Sequence, residues 1–78
     1  MTLGEYRVGI SFNPGGNEDV GRLKRGAADL IDLCASIRAS SPVSSRANGE
    51  VQRLWALAMT NIEDGAMWAV KAVTKPEM

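Results

Sequence analysis

The sequence predicts an all-α fold in which two helices form an antiparallel hairpin behind a short N-terminal arm. Apolar residues recur at helical spacing in two long stretches, residues 18–39 and residues 50–74. Clusters rich in proline, glycine and serine separate these stretches from each other and from the N-terminal segment. The chain has 78 residues, so we expect a single domain over residues 1–78 whose own core is small.

The N-terminal segment, residues 1–12, shows a brief alternation of apolar and polar residues around Tyr6, Val8 and Ile10. This is a weak strand pattern, and a short arm that lies on a neighbouring element fits the same residues equally well. The next five residues, NPGGN, are typical of a turn, because Pro14 disfavours helical dihedrals before it and glycine permits unusual ones. We therefore expect helix one to start after this turn.

Helix one is predicted over residues 18–39. Asn17 is a suitable N-cap, and Glu18 and Asp19 lie in the first turn, where the helix dipole favours negative charge. Apolar residues then follow at alternating spacings of three and four, which is typical of the seam between two packed helices. The members of this seam are Val20, Leu23, Ala27, Leu30, Cys34 and Ile37.

Helix two, predicted over residues 50–74, is apolar on nearly all sides. Its first stripe comprises Val51, Trp55, Ala58, Ile62, Ala69 and Val73. Its second stripe comprises Leu54, Leu57, Trp68 and Ala72, and a third line comprises Met59, Ala66 and Val70. A helix of this kind is usually buried on more than one side, so we expect helix two to pack on helix one and on other copies of the chain. The alternative is a monomer with half-exposed tryptophans.

Composition excludes several classes of function. The chain has nine basic and nine acidic residues, so we expect no DNA or RNA polymer as a partner. It has no histidine, which excludes a histidine-based zinc site and a Ser-His-Asp triad, and a single cysteine, Cys34, which excludes an internal disulfide. With no long apolar run and no pattern of a signal peptide in MTLGEYRVG, we expect an intracellular protein with no membrane partner. We also expect no cofactor.

Catalytic interpretations find little support. Asp29 and Asp32 are neighbours on helix one, whereas Glu63 and Asp64 are adjacent in sequence and point apart. Paired carboxylates can hold a metal or transfer protons, but a solvated helix face explains these pairs better. We therefore expect a protein that is not an enzyme.

Three features favour ligand binding. The NPGGN turn before helix one is compatible with an anion site built from backbone amides, although a plain turn and cap explains it as well. Three cations follow early in helix one, against the helix dipole, at Arg22, Lys24 and Arg25. Either Lys24 or Arg25 can reach back over the turn to a phosphate, and solubility is the alternative explanation.

The third feature is Phe12, directly before the turn. An aromatic ring beside phosphate donors can stack a nucleobase, whereas packing onto the helix as a hydrophobic staple is the alternative. The ring, Asn13, the backbone amides and Lys24 together suit a small nucleotide with one or two phosphates better than a bare anion.

Three stretches, RVGISFNPGGN, VGRLKRGAADLID and IEDGAMWAVKAVTK, resemble a phage family of small helical-hairpin proteins. These are the anti-CBASS cyclic-nucleotide sponges, also called anti-CBASS protein two, which share their hairpin with sponges that act against the Thoeris defence. The resemblance covers nearly the whole chain. Its sharpest part is the pattern T-x-x-E-x-x-x-M-W-A-x-K-A, formed here by Thr60, Glu63, Met67, Trp68, Ala69, Lys71 and Ala72.

The resemblance implies a protein that sequesters the cyclic oligonucleotides of CBASS immunity in the host bacterial cytoplasm without cleaving them. Members form a compact hexamer and bind cyclic dinucleotides, such as cyclic GMP-AMP, between subunits. Some members also bind cyclic trinucleotides at separate sites near the symmetry axis. Two alternatives to this function are a helical module that binds a host protein through helix two, and a sponge for a cyclic ADP-ribose-type signal.

The resemblance also implies roles for particular residues. The family's base-stacking aromatic corresponds to Phe12, the asparagine after it to Asn13, and the lysine that meets the phosphate to Lys24. Phenylalanine replaces the tyrosine that is common in the family, so stacking is kept and a hydroxyl hydrogen bond is lost. An arginine early in helix two is linked to trinucleotide binding in some members, and Arg53, with Thr60 further along the same face, corresponds to it.

Overall fold

The computed structural model describes residues 1–77, and every regular element within them is a helix. The elements are α1 (Leu3–Val8), α2 (Glu18–Ser40), α3 (Val43–Arg46) and α4 (Gly49–Val73). The predicted all-α class is confirmed. The two long helices differ by at most one residue at each end from the predicted ranges 18–39 and 50–74. The predicted domain range of 1–78 includes Met78, which lies outside the described residues.

The N-terminal segment forms a helix that packs on α2, so of the two interpretations left open for it the strand is wrong. The Thr2 hydroxyl accepts a hydrogen bond from the Glu5 amide at 3.1 Å, and the Glu5 carboxylate accepts one from the Thr2 amide at 2.8 Å. This reciprocal capping box satisfies two amides that would otherwise lack partners at the start of α1. Gly9, with a φ of 64°, ends the helix in the left-handed conformation. The sequence T-x-x-E at residues 2–5 is a capping-box pattern that sequence reasoning did not use.

Helix α1 packs closely against α2 because residue 4 is a glycine. A Cβ atom at Gly4 would lie 2.8 Å from the carbonyl carbon and 2.9 Å from the Cα of Ala28, closer than ordinary contact allows. The Gly4 amide donates to the Asp32 carboxylate at 2.8 Å. Arg25 forms an ion pair of 2.8 Å with Glu5. These contacts hold α1 across the middle of α2.

The buried face of α2 differs from the predicted seam. Its buried residues are Val20, Lys24, Ala28 and Ile31. Val20 belongs to the predicted seam, but two of its later members, Leu30 and Ile37, are about half exposed. The physical reason is that α2 has two neighbours. Helix α1 covers the side of α2 that contains Ala28, so the face that is buried is not the face that a single partner helix would select.

Helix α4 packs on α2 and leaves much of its apolar surface uncovered. Its buried residue is Met59, which belongs to the third line, while the first stripe is half-buried apart from the exposed Val73. The second stripe is exposed throughout, with Trp68 58 % accessible. A shallow depression lined by Asp19, Arg22, Leu23 and Val73 lies where the start of α2 meets the end of α4.

The chain is flat and has a small core. Its extents are 51 × 24 × 13 Å, and its apolar residues with less than a tenth of their surface exposed are Val20, Ala28, Ile31 and Met59. Its accessible surface is 5444 Å², whereas a compact monomer of 8.4 kDa would expose about 4,600 Å². Within the described residues, no helix combines the length and the apolar character needed to cross a bilayer.

Candidate functional site

A cavity of about 350 Å³ lies between α1, the first half of α2 and the second half of α4. It is partly open to solvent. Its lining combines cations, carboxylates and apolar side chains: Arg7, Val8, Lys24, Thr60, Glu63, Asp64, Ala66, Met67 and Val70. The volume is at the lower end of the range of small-molecule pockets, about 300–1,000 Å³. Two residues predicted from the sequence, Lys24 and Thr60, therefore line the same cavity.

Lys24 is 8 % exposed, and its ammonium group lies beneath the turn that follows α1. Its Nζ donates to the carbonyl oxygen of Gly9 at 2.9 Å and also to that of Phe12. These bonds explain why α2 carries a cation so close to its N-terminus, which helix stability alone does not. An ammonium group has three donors, so one remains after these two bonds. Lys24 thus reaches back to the carbonyls of residues 9 and 12, just before the NPGGN turn, and its contact with a phosphate stays a prediction.

Phe12 is 70 % exposed. Its ring centroid lies 5.4 Å from the Lys24 Nζ, within the range of a cation–π interaction. A residue that served as a hydrophobic staple would be covered by the helix, and Phe12 is not. The ring therefore presents an open aromatic face beside a fixed positive charge, which is the arrangement that can stack a nucleobase.

The NPGGN turn is closed by side-chain hydrogen bonds between its first and last residues. The Asn13 amide group donates to the Asn17 carbonyl at 2.8 Å, and the Asn13 side-chain oxygen accepts from the Asn17 backbone amide at 3.1 Å. Asn17 is the N-cap of α2, as predicted, and accepts from the amides of Asp19 and Val20. Because these helix amides have partners within the chain, the structure favours the plain turn and cap over an anion site built from backbone amides.

Arg7 connects α1 to α4 inside the cavity. Its Nε donates to the Glu63 carboxylate at 2.7 Å, and its Nη2 donates to the Thr60 hydroxyl at 3.2 Å. Thr60 and Glu63 are the first two specified residues of the T-x-x-E-x-x-x-M-W-A-x-K-A pattern. The start of this pattern therefore binds the arginine of α1. Sequence reasoning missed Arg7. The available signal was a threonine and a glutamate three residues apart on one helix face, which together can accept a forked guanidinium.

Arg53 lies outside the cavity. It forms two hydrogen bonds with Glu50, of 2.7 and 2.9 Å, on the exposed side of α4. The Arg53 guanidinium lowers the pKa of the Glu50 carboxyl, and the Glu50 carboxylate raises the pKa of Arg53. Seven residues separate Arg53 from Thr60, about 10 Å along the helix axis. Thr60 lines the cavity, and Arg53 does not.

The other cations near the start of α2 also have partners within the chain. Arg25 pairs with Glu5 and with Asp29, both at 2.8 Å, and Arg22 pairs with Asp19 at 3.3 Å. The hydrogen bond from Arg25 is the main cause that lowers the pKa of Glu5 to about 2, followed by the hydrogen bond from the Thr2 backbone. The Glu5 and Asp29 carboxylates in turn raise the pKa of Arg25.

The carboxylates considered for chemistry are spread over different contacts. Asp29 pairs with Arg25, Asp32 caps the Gly4 amide, and Glu63 binds Arg7. Among residues 1–77, no three histidine, cysteine, aspartate or glutamate side chains lie close enough together to hold a metal ion.

Residues 5–74 match the family model described as Acb2/Tad1, hairpin domain. The matched range contains the turn with Phe12, the cavity and the C-terminal motif. No curated protein and no solved structure matches the chain.

Proposed function

This chain belongs to the Acb2/Tad1 hairpin-domain family, that of anti-CBASS protein two and the Thoeris anti-defence sponges, and on that premise we propose that it sequesters cyclic oligonucleotides. The proposed ligands are cyclic dinucleotides, such as cyclic GMP-AMP, and cyclic trinucleotides. Their capture in the host bacterial cytoplasm would block CBASS immunity, and the chain would hold them intact, as a binding protein and not an enzyme. The observation that carries this proposal is the family match over residues 5–74.

The turn after α1 supports the proposal for dinucleotides. The open face of Phe12 is available to stack a base, and the Lys24 ammonium below it retains one donor and its charge for a phosphate. Asn13 contributes by closing the turn that presents Phe12. Thr60 lines the adjoining cavity. Arg53 is proposed for trinucleotides alone, in an assembly where a second chain completes the site.

We further propose that α2 and α4 form an antiparallel hairpin and that copies of it assemble into a homo-oligomer, with a hexamer favoured. The start of α2 lies beside the end of α4, which supports the antiparallel arrangement. The surface of the chain exceeds that of a compact monomer by about 800 Å², comparable to the area that one partner buries in a standard interface. The exposed second stripe of α4 is apolar and would supply such an interface.

Isothermal titration against cyclic di- and trinucleotides, with linear dinucleotides as controls, tests the function. We expect binding of cyclic ligands alone, and recovery of intact ligand after the complex is denatured. Phe12→Ala should weaken dinucleotide binding by about 5- to 150-fold, the value of one stacked base. Tyr6→Ala is the matched control, because Tyr6 is a similarly exposed aromatic residue in α1.

Each alternative has its own result in these experiments. Absence of binding to every cyclic oligonucleotide would contradict the proposal. Tight binding of a cyclic ADP-ribose isomer alone would favour the alternative of a sponge for a cyclic ADP-ribose-type signal. Capture of one defined host protein, in place of a nucleotide, would favour the interaction module. Equal losses for Phe12→Ala and Tyr6→Ala would show that the Phe12 ring is not the stacking platform.

A further inference from the structure

The Arg7–Glu63 pair has hydrogen-bonding capacity that the fold does not use. Arg7 is held by Glu63 and Thr60 on one face of α4, and its side chain is 22 % exposed. A guanidinium has five N–H donors, and these two bonds use two of them. Glu63 binds Arg7 through one carboxylate oxygen, while the other has no hydrogen-bond partner within residues 1–77. A donor and an acceptor are therefore fixed side by side on the cavity wall.

Part of the remaining cavity wall is suited to a flat apolar face, although Lys24 and Asp64 also line the cavity. Val8, Met67 and Val70 contribute aliphatic and thioether surface around the polar pair. A pocket with an apolar wall and a few fixed polar groups is typical of a site that orients a small ligand. The volume of about 350 Å³ accommodates one nucleobase more readily than a whole cyclic dinucleotide.

We propose that this cavity is a nucleobase pocket that selects guanine, with Arg7 and Glu63 as its specificity-determining residues. The inference rests on the proposed function and names the ligand class that the site prefers. Guanine presents the O6 acceptor next to two donors, N1–H and the N2 amino group. The guanidinium of Arg7 donates to O6, and the free carboxylate oxygen of Glu63 accepts from the donors.

Adenine fits the same pair less well. Its corresponding edge offers one donor and one acceptor, so it can form at most two of the three contacts. A site built to hydrogen-bond a group rejects the analogue that lacks it, because the partner that the bound ligand covers is left unsatisfied. We expect wild-type protein to bind cyclic di-GMP at least about tenfold more tightly than cyclic di-AMP. Cyclic di-IMP, which lacks only the N2 amino group, should bind with intermediate affinity.

The competing explanation is that Arg7 and Glu63 only tether α1 to α4. The variant Glu63→Gln distinguishes this explanation from the guanine pocket. Its side-chain oxygen still accepts from Arg7, so the tether is kept, while the free carboxylate oxygen is replaced by an NH₂ donor that opposes the donors of guanine. Glu50→Gln is the matched control, because Glu50 also pairs with an arginine on α4 but lies outside the cavity.

The experiment is titration of wild type, Glu63→Gln and Glu50→Gln with cyclic di-GMP, cyclic di-IMP and cyclic di-AMP, with thermal melts of all three proteins. We expect Glu63→Gln to reduce the preference for guanine over adenine by about tenfold, with an unchanged preference in Glu50→Gln. Equal wild-type affinities for the three ligands would overturn the guanine pocket and leave the sponge function standing. A full guanine preference in a folded Glu63→Gln protein would also overturn it. Absence of binding to any cyclic dinucleotide would overturn both the guanine pocket and the proposal that the chain sequesters cyclic dinucleotides.

Discussion

Replacement of Gly4 by alanine tests the packing that places α1, and with it Arg7, at the cavity. Alanine is the better helix former by about 1 kcal/mol, so at an exposed helical position this change stabilises. At Gly4 the added Cβ would lie 2.8 Å from the Ala28 carbonyl carbon, where ordinary contact begins at 3.4 Å. The neighbour is backbone and cannot rotate away. The Ala28 carbonyl oxygen would lie closer still to the added Cβ, so helix α1 must move from α2 by more than the roughly 0.6 Å that the carbonyl carbon alone requires, which strains its hydrogen bond to Asp32.

The expected cost follows from these contacts. Overpacking costs about 1–3 kcal/mol, and weakening of the bond to Asp32 costs about 1 kcal/mol more. The helix propensity of alanine offsets about 1 kcal/mol, so the net destabilisation is about 2 kcal/mol. For a chain of this size that corresponds to a fall in Tm of about 8–16 °C. Thermal melts by circular dichroism measure this fall in Tm. Wild type and variant are compared at the same protein concentration, because association shifts Tm.

Two other helical glycines provide controls of the opposite sign. Gly26 in α2 and Gly65 in α4 are exposed, and a Cβ on either would meet nothing within 4 Å. Gly26→Ala and Gly65→Ala should each raise stability by about 0.5–1 kcal/mol. A rise in Tm for Gly4→Ala similar to that of these controls would refute the close packing of α1 on Ala28. It would also remove the structural basis for placing Arg7 in the cavity.

Three further predictions follow from the contacts around the site. Because the pKa of Glu5 is lowered from 4.5 to about 2, its pairing contributes stability above about pH 4.5 that is lost as the pH falls toward 2. The Tm of wild type should therefore be higher than that of Glu5→Gln at pH 5, and the two Tm values should converge near pH 2. A Tm difference that stays constant with pH would contradict a contribution from the ionised Glu5 carboxylate. Lys24→Met keeps the apolar stem but removes the bonds to the Gly9 and Phe12 carbonyls, so urea unfolding should show a loss of about 1–3 kcal/mol. Lys75→Met, at an exposed position after α4, should show none, and equal stability of both variants would argue against the Lys24 bonds. Leu57→Glu puts a charge on the exposed second stripe, so light scattering should show loss of the oligomer with helix content retained; an oligomer of unchanged mass would exclude this stripe as the interface.

Local patterns predicted the bounds and the N-cap of the long helices correctly. The long helices end within one residue of their predicted bounds, and Asn17 caps α2 as its residue type and position indicate. A cap and a helical periodicity depend on residues within one or two turns of each other, and such patterns are visible in the chain itself. The T-x-x-E pattern of α1 was equally local, but a short alternation of apolar residues in the same segment pointed to a strand and obscured it.

Sequence by itself determined the helical class, the two long helices, the excess of apolar surface on α4 and the family resemblance. Only the tertiary structure decided which face of α2 is buried, where Lys24 points and that Arg7 meets Thr60 and Glu63. The physical reason is sequence separation. Arg7 lies 56 residues before Glu63, and their contact depends on how α1 crosses α2, which the close approach of Gly4 to Ala28 sets. Periodicity describes one helix against one partner, whereas this site lies where three helices meet.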